Sequence, residues 1–232
     1  MTAERDVGGL AARYGLRAPA PQQLGALLAL LTEDPLAPTT IDAARALDDH
    51  LADSLVALEL EAVRAATTIA DLGSGAGLPG LPLAIALPEA DMYLVESSKR
   101  KCEFLERAVR ASELCNVDVV HARIEEWSAS VDLVTARALA PLEVVVEYAA
   151  PLLRIGGTLV VWRGQREPER EKAAEKAAEI TGIEVGEILA VRPYPAARNR
   201  HLHLMSKVME TPARFPRRPG IAMKRPLGSA RL

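Results

Sequence analysis

The chain has 232 residues, of which 49% are hydrophobic, so it can bury one sizeable core. Its first nine residues lack a basic stretch followed by an apolar run, which argues against a secretory signal. The apolar run at 24–31 is too short to span a bilayer. Two cysteines, Cys102 and Cys115, give neither a disulfide framework nor a metal-ligand spacing. We therefore predict a cytoplasmic protein that binds no metal and no membrane.

The net charge of −3 conceals a strong asymmetry along the chain. The first 191 residues carry a charge of −12, whereas the last 41 carry ten Lys/Arg against one acid, Glu210, and so contribute +9. A basic end of this kind favours contact with an anionic macromolecule. A solvated tail is the alternative interpretation.

Residues 1–66 are predicted to form an N-terminal helical extension. Pro21 opens an apolar stretch in a position suited to the first turn of a helix, and Thr39 or Thr40 could serve as the N-cap of a second helix. Apolar residues then recur at spacings of three and four. The residues that could line one face of this second helix are Ile41, Leu47, Leu51, Leu55, Leu58 and Leu60.

From residue 67 onward, short apolar runs alternate with helical patterns, which is typical of a parallel sheet with helices on both faces. We predict strands near 67–72, 91–96, 117–121, 131–136, 157–162, 184–191 and 201–208. We predict helices near 78–87, 98–112, 141–152 and 166–180. The fold class is therefore α/β, with a doubly wound, mostly parallel seven-stranded sheet in a domain at 67–209. Residues 210–232, with four prolines and two glycines, are predicted to form a basic C-terminal arm that is extended rather than packed.

The most informative pattern is "DLGSGAG" at the end of the first predicted strand, where an α/β sheet binds its ligand. Gly73 and Gly75 allow the backbone to turn sharply and approach a ligand closely. A dinucleotide-binding turn would have its third glycine at position 78, where this chain has Leu78. A P-loop would need a lysine that is not present here. Both phosphate-binding interpretations are weakened.

A sulfonium donor fits the turn better than a phosphate does. S-adenosylmethionine carries a positive charge and no pyrophosphate, and Asp71 stands directly before the glycines. Glu96 ends the second predicted strand, where its carboxylate can accept hydrogen bonds from both ribose hydroxyls. A methyltransferase is therefore favoured over a glycine turn without a ligand.

Several further segments resemble one family. "DLGSGAGLPGLPLAI", "LVESSKRKCEFL", "ARIEEW", "DLVTARALAPL", "RFPRRPGIAMKRPL" and the N-terminal "DDHLADSL" are similar to those of the bacterial 16S ribosomal RNA guanine-N7 methyltransferase G family, also called glucose-inhibited division protein B. The resemblance runs from about residue 40 to 228. It implies a Rossmann-like class I methyltransferase fold, S-adenosylmethionine as donor, and 16S ribosomal RNA or a small ribosomal subunit precursor as partner.

The glycine turn and the resemblance together predict the site residues. The predicted donor-binding residues are Asp71, Gly73, Gly75, Gly77, Leu78, Glu96, Ser97, Ser98, Ile124, Glu125 and Arg137. Arg137 corresponds to the family's arginine beside the reaction centre and is the predicted catalytic residue; a structural arginine paired with a core carboxylate is the alternative. The predicted RNA-binding residues are Lys99, Arg100, Arg163, Arg217, Arg218, Lys224 and Arg225. Because the arm is distant from the glycine turn in sequence, we expect donor binding not to depend on it.

The residues after the fourth predicted strand also bear on the chemistry. "TARALAP" lacks the Asn or Asp, two prolines and aromatic residue that exocyclic-amine methyltransferases place there. Neither cysteine stands in a loop where a carbon-5 enzyme needs its nucleophile. Guanine N7, which carries no proton, fits what remains. A methyltransferase acting on another RNA or a small molecule, a donor-binding module without activity, and a dinucleotide-binding oxidoreductase stay open.

Overall fold

The computed structural model describes residues 6–38 and 42–228. The sequence-based assignments for Thr39, Thr40 and Ile41, and residues 229–232 of the predicted arm, lie outside these residues. The described strands are β1 Thr68–Leu72, β2 Asp91–Glu96, β3 Val117–His121, β4 Val131–Arg137, β5 Leu153–Arg163, β6 Ile183–Ala190 and β7 His201–Lys207. The described α-helices are α1 Val7–Arg13, α2 Ala20–Glu33, α3 Ala43–Ala46, α4 Asp53–Leu55, α5 Glu61–Arg64, α6 Gly80–Ala86, α7 Lys99–Ala111, α8 Leu142–Ala149, α9 Pro168–Thr181 and α10 Ile221–Lys224. A π-helix covers Leu47–Ala52, and 3-10 helices cover Val56–Glu59 and Ile124–Glu126.

The strands form one sheet in the order β3-β2-β1-β4-β5-β7-β6. Strands β1 to β5 pair in parallel, and β7 runs antiparallel between β5 and β6. The predicted doubly wound, mostly parallel seven-stranded sheet is confirmed. The largest difference in a strand boundary is in β5, predicted from 157 but beginning at Leu153, because Leu153 pairs with Val131 before the register shifts.

The sheet has an apolar core on each face. Successive side chains of β1 alternate between them, with Ile69 on one face and Ala70 and Leu72 on the other. The first core includes residues of α2, α6 and α7, and the second includes residues of α8 and α9. Because the strand order reverses between β1 and β4, their carboxyl ends mark the place where such a sheet binds ligands.

The N-terminal helices pack onto the first core. Leu51 and Leu55, both from the predicted apolar face, are fully buried there. The described N-cap of α3 is Asp42, whose carboxylate accepts a hydrogen bond from the Ala44 amide at 3.0 Å. The helical extension is thus part of the same hydrophobic cluster as α6 and α7.

Residues 210–228, called the C-terminal segment below, are not the extended arm that the sequence predicted. Phe215 and Ala222 are buried, and Ala222 lies in the second core. Residues 221–224 form the short helix α10, which packs on α8. Proline and glycine content indicated irregular backbone correctly, but the segment packs on the domain through these buried apolar residues and an ion pair between Arg217 and Glu147.

Candidate active site

Two cavities lie side by side at the carboxyl edge of the sheet. The first, of about 320 Å³, is lined by Gly73 at the end of β1 and Glu96 at the end of β2, and is called the glycine-turn cavity. The second, of about 900 Å³, is lined by Arg137 and several other arginines and is called the arginine cavity. Ala138, directly after β4, lines both. It has a φ of +54°, uncommon for a residue other than glycine, at the boundary between the cavities.

The glycine turn needs its glycines for two reasons. Gly73, Gly75 and Gly77 have φ values of +65°, +60° and +82°, a backbone region that disfavours side chains. An ideal Cβ at Gly73 would lie 2.4 Å from Leu139 Cδ1, and one at Gly77 would lie 2.2 Å from Leu81 Cδ1. Residues larger than glycine are therefore disfavoured at Gly73 and Gly77 both by the backbone dihedral angles and by contact with neighbouring side chains.

Asp71 supports the turn from beneath. Its carboxylate accepts hydrogen bonds from the Thr135 hydroxyl at 2.9 Å and the Gly80 amide at 3.3 Å. The side chain is almost completely buried, and this burial raises the pKa of Asp71 to about 6. The sequence placed Asp71 against a cationic ligand. In the structure its carboxylate instead joins β1 to β4 and to the first residue of α6, and it does not line the glycine-turn cavity.

Glu96 is held in a fixed orientation at the cavity wall. Its Oε2 accepts a hydrogen bond from the Gly75 amide at 3.1 Å, and its Oε1 accepts one from the Ser98 amide at 2.8 Å. Lys101 Nζ lies 3.7 Å from Oε2. A carboxylate that accepts backbone hydrogen bonds in this way has a defined direction, and lone pairs remain for a ligand.

The opposite wall comes from elements distant in sequence. Ile124 and Glu125 lie on the 3-10 helix after β3, and Tyr148 lies on α8. Burial and then the charge of Glu125 raise the pKa of Tyr148 to about 12. Glu125 Oε1 also accepts a hydrogen bond from the Gly220 amide at 2.8 Å, so the C-terminal segment completes this wall.

The cavity brings together about half of the predicted donor-binding residues. Those that line it are Gly73, Glu96, Ser97, Ile124 and Glu125. The others lie behind the wall or beyond it: Asp71, Gly75, Gly77, Leu78, Ser98 and Arg137. Leu78, for example, is buried in the first core, and Arg137 opens onto the arginine cavity instead.

Arg137 is held by two acidic residues of the N-terminal helices. Its Nη1 donates to Asp53 Oδ2 at 3.0 Å and to the Asp49 carbonyl at 3.2 Å. Arg200, before β7, approaches the same pair, with Nε 3.2 Å from Asp53 Oδ1 and Nη2 3.3 Å from Asp49 Oδ1. Tyr194 donates a hydrogen bond to Asp49 Oδ1. Burial raises the pKa of Asp53 despite both arginines.

This network was mostly missed in the sequence. Asp53 stands in the "DDHLADSL" stretch, but Arg200 counted only as one charge of a basic region. Arg45, Arg166 and His201 also line the cavity and carry no sequence signal of their own. The alternative interpretation of Arg137, as the partner of a carboxylate, describes its observed ion pair. That pair lies at a cavity wall, so it does not exclude a catalytic role.

The predicted RNA-binding residues fall into three environments. Arg163 lines the arginine cavity and pairs with Glu167, with 2.5 Å between Nη2 and Oε1. Arg217 forms a bidentate ion pair with the buried Glu147, so its guanidinium is directed into the protein rather than toward a phosphate. The remaining ones are exposed: Lys99, Arg100, Arg218, Lys224 and Arg225.

Within residues 6–38 and 42–228, no group of three or more His, Cys, Asp or Glu side chains could hold a metal ion. In the same ranges, no helix is long and apolar enough to cross a membrane. That the protein needs no metal stays a prediction.

The sheet order and the glycine turn define a Rossmann-like methyltransferase fold. A fibrillarin from Aeropyrum pernix, solved with natively bound S-adenosyl-L-methionine, superposes with a TM-score of 0.53 over 66% of this chain and 72% of its own, at 21% identity. At that identity the likeness concerns the fold alone.

Sequence relatives identify the family. The family model described as rRNA small subunit methyltransferase G (GidB) matches residues 36–202. A ribosomal RNA small subunit methyltransferase G from Rubrobacter xylanophilus is 41% identical over 188 residues, covering 77% of this chain and 72% of the relative. One from Chloroflexus aggregans is 42% identical over 186 residues, covering 77% and 76%. The chain belongs to the rRNA small subunit methyltransferase G family, which confirms the resemblance in its sequence.

Proposed function

We propose that the protein transfers a methyl group from S-adenosylmethionine to N7 of a specific guanine in 16S ribosomal RNA. The observation that carries the proposal is the pair of cavities that meet at Ala138, in a chain of this family. One cavity suits the donor and the other an RNA base with its phosphates. A protein acting on ribosomal RNA would work in the cytoplasm, as the sequence also led us to expect.

The glycine-turn cavity fits the donor in size and chemistry. Its volume of about 320 Å³ falls at the lower end of the range usual for small-molecule sites. Gly73 presents only backbone to the cavity, and no side chain fits there, because an ideal Cβ would lie 2.4 Å from Leu139 Cδ1. The oriented Glu96 carboxylate would accept hydrogen bonds from the ribose hydroxyls, and Ile124 would pack against the adenine.

The donor supplies, when bound, a methyl group activated by a positively charged sulfur. The chain's own residues must then hold N7 in line with that methyl group at the boundary of the two cavities. N7 has a free lone pair and no proton, so no general base is required. Holding two reactants in a productive geometry can contribute roughly 7–11 kcal/mol to catalysis. Positioning is thus the main demand on the arginine cavity.

The charges of the arginine cavity suit this task. Five arginines line it against three carboxylates, those of Asp49, Asp53 and Glu167. The excess of cations favours phosphates, whereas the carboxylates paired to Arg137 and Arg200 offset part of the positive charge. This matters because guanine becomes cationic when N7 is methylated. We propose that Arg137 donates to guanine O6, with its orientation fixed by Asp53.

The boundaries of the functional regions are also proposals. We propose a helical extension at 1–66, a donor-binding domain at 67–209 and a basic end at 210–232. The start of β1 at Thr68 and the end of β7 at Lys207 support the division. RNA contact by Lys99, Arg100, Arg163, Arg218, Lys224 and Arg225 belongs to the same proposal, since all of them are exposed or line the arginine cavity.

The test uses the full chain, methyl-labelled donor and small ribosomal subunits that have not been methylated. We expect label in one guanine of 16S ribosomal RNA, at a position where reduction followed by aniline cleaves the chain, as it does at N7-methylguanine. Large subunits serve as the control and should stay unlabelled. Label on another atom, or in large-subunit RNA only, would contradict the proposal.

A further inference from the structure

The C-terminal segment is fixed to the domain at several points. Phe215 and Ala222 are buried, and Leu227 packs against the second core. At Gly228, whose φ is +73°, an ideal Cβ would lie 2.4 Å from the Ala173 carbonyl oxygen of α9. Backbone this close to a helix indicates a docked segment rather than a tail in solvent.

The firmest anchor is an ion pair. Arg217 Nε lies 2.6 Å from Glu147 Oε1, and its Nη2 donates to Glu147 Oε2. Glu147 lies on α8 and is almost completely buried. The same Nη2 donates to the Arg225 carbonyl at 2.9 Å, so a single guanidinium holds both sides of the 217–225 turn. Bidentate pairs of this type are strong and geometrically specific.

Between these two points the segment forms part of the glycine-turn cavity. Gly220, with a φ of +78°, donates its amide to Glu125 Oε1 at 2.8 Å, and both residues line the cavity. Met223 lines it as well, with 51% of its surface exposed. The 217–225 turn therefore orients the carboxylate of Glu125, a predicted donor-binding residue, and supplies the apolar side chain of Met223 to the cavity.

The outer side of the same turn is cationic. Lys224 and Arg225 directly follow Met223, and both are exposed. Among the described residues, neither forms an ion pair. Lys224 and Arg225 thus lie one and two residues after Met223, whose side chain lines the glycine-turn cavity.

We propose that the C-terminal segment is a structural wall of the donor site, and that phosphate contact by Lys224 and Arg225 strengthens donor binding. The second half rests on the proposed function, because it requires an RNA partner. The physical basis is linkage: when phosphate contact and donor binding both favour the same docked position of the segment, each ligand raises the affinity for the other by the same factor. This proposal replaces the expectation that donor binding is independent of the segment, because Gly220 and Met223 line the glycine-turn cavity.

The first test measures affinity for S-adenosylhomocysteine by calorimetry without RNA. Arg217→Ala should weaken binding about five- to tenfold, because the turn loses its anchor. Arg214→Ala is the matched control: Arg214 is exposed in the same segment and lies over the Phe215 ring, and its loss should leave affinity within twofold. Unchanged affinity in a folded Arg217→Ala variant would overturn the proposal.

A second variant covers the risk that Arg217→Ala leaves Glu147 buried without a partner and fails to fold. Met223 is half exposed, so Met223→Ala should fold normally. We expect it to weaken S-adenosylhomocysteine binding about threefold. Equal affinity of this variant and the wild type would show that the segment does not contribute to the donor site.

The coupling is tested by repeating the titration with a saturating hairpin of small-subunit RNA. Donor affinity of the wild type should rise at least threefold, and the rise should be absent in a Lys224→Ala/Arg225→Ala variant. A wild type that shows no rise contradicts the coupling. The titrations without RNA test only whether the segment contributes to the donor cavity. Their outcome therefore remains valid even if the protein proves not to methylate 16S ribosomal RNA.

Discussion

The two cavities are built in different ways. In the glycine-turn cavity, the turn and Glu96 lie within about 25 residues of one another and are joined by backbone amides that donate to a carboxylate. In the arginine cavity, Asp53, Arg137 and Arg200 come from elements far apart in the chain and are joined by side-chain ion pairs. The first arrangement orients the Glu96 carboxylate through local backbone geometry. The second depends on the packing of the N-terminal helices on the sheet.

This difference separates the expected effects of mutation. Changes at the glycine turn or Glu96 should reduce donor affinity and leave the RNA affinity measured without donor unchanged. Changes in the arginine cavity should reduce the rate of methylation at saturating donor. A glycine-turn variant that changed RNA affinity measured without donor, or an arginine-cavity variant that changed donor affinity, would show that the two cavities act as one site.

The largest effect is expected for Arg137→Ala. Removing a preorganised donor at a reaction centre costs about 3–4 kcal/mol, so the single-turnover rate on saturating RNA should fall roughly 100- to 1000-fold. Arg137→Lys keeps the charge but not the fork, and should recover only part of the rate. Arg154→Ala, which removes an exposed arginine paired with Asp132 outside both cavities, is the control. A normal rate for Arg137→Ala would mean that the arginine only anchors Asp53.

Next comes Glu96→Gln, for which donor affinity should fall about tenfold. An amide accepts weaker hydrogen bonds than a carboxylate, and the difference is about 1–2 kcal/mol. Calorimetry with S-adenosylhomocysteine measures the loss. Asp91→Asn changes an exposed acid at the other end of the same strand and should bind normally. Equal affinities for wild type and Glu96→Gln would remove Glu96 from the ribose contact.

A smaller effect is expected for the basic residues of the C-terminal segment. Lys224→Ala/Arg225→Ala should flatten the dependence of RNA affinity on salt, since each lost phosphate contact takes roughly 0.7–0.9 from the log–log slope. Lys172→Ala/Lys176→Ala removes two exposed lysines of α9 and should leave the slope alone. If both double variants keep the wild-type slope, these cations do not touch RNA.

The last prediction concerns the dependence of the free energy of unfolding on pH, through the buried His203. Burial lowers the pKa of His203 on β7 to about 4. Between pH 6.5 and 4 the unfolded chain therefore binds a proton at His203 that the folded chain lacks, and the contribution of this group to stability falls as pH falls, by at most about 1.4 kcal/mol per pH unit. His203→Gln should reduce this slope in chemical denaturation, whereas His121→Gln, at an exposed site, should not. Identical slopes for His203→Gln and the wild type would contradict the prediction.

The sequence predicted local features well. All seven strands of the described residues were anticipated, and Gly73 and Glu96 do line one cavity, because both features depend on residues close together in the chain. That this cavity binds the donor stays a prediction. The network of Asp49, Asp53 and Arg200 could not be read in this way, since helix packing alone brings these residues to Arg137.

Two side chains have partners that the sequence did not indicate, and the reason is the same for both. Asp71 precedes the glycines, yet it points into the protein because the pleat of β1 directs it toward Thr135. Arg217 belongs to a basic stretch, but the buried carboxylate that it meets lies 70 residues earlier in the chain. The charge of a residue and its neighbours in the sequence do not determine which distant residue its side chain contacts in the fold.

A structure of the protein with S-adenosylhomocysteine would test the central claim most directly. We predict the ribose hydroxyls on Glu96, the adenine beside Ile124, and the sulfur end of the ligand directed past Gly73 toward Ala138 and the arginine cavity. A ligand seated in the arginine cavity, or one whose ribose does not touch Glu96, would contradict the assignment of the two cavities.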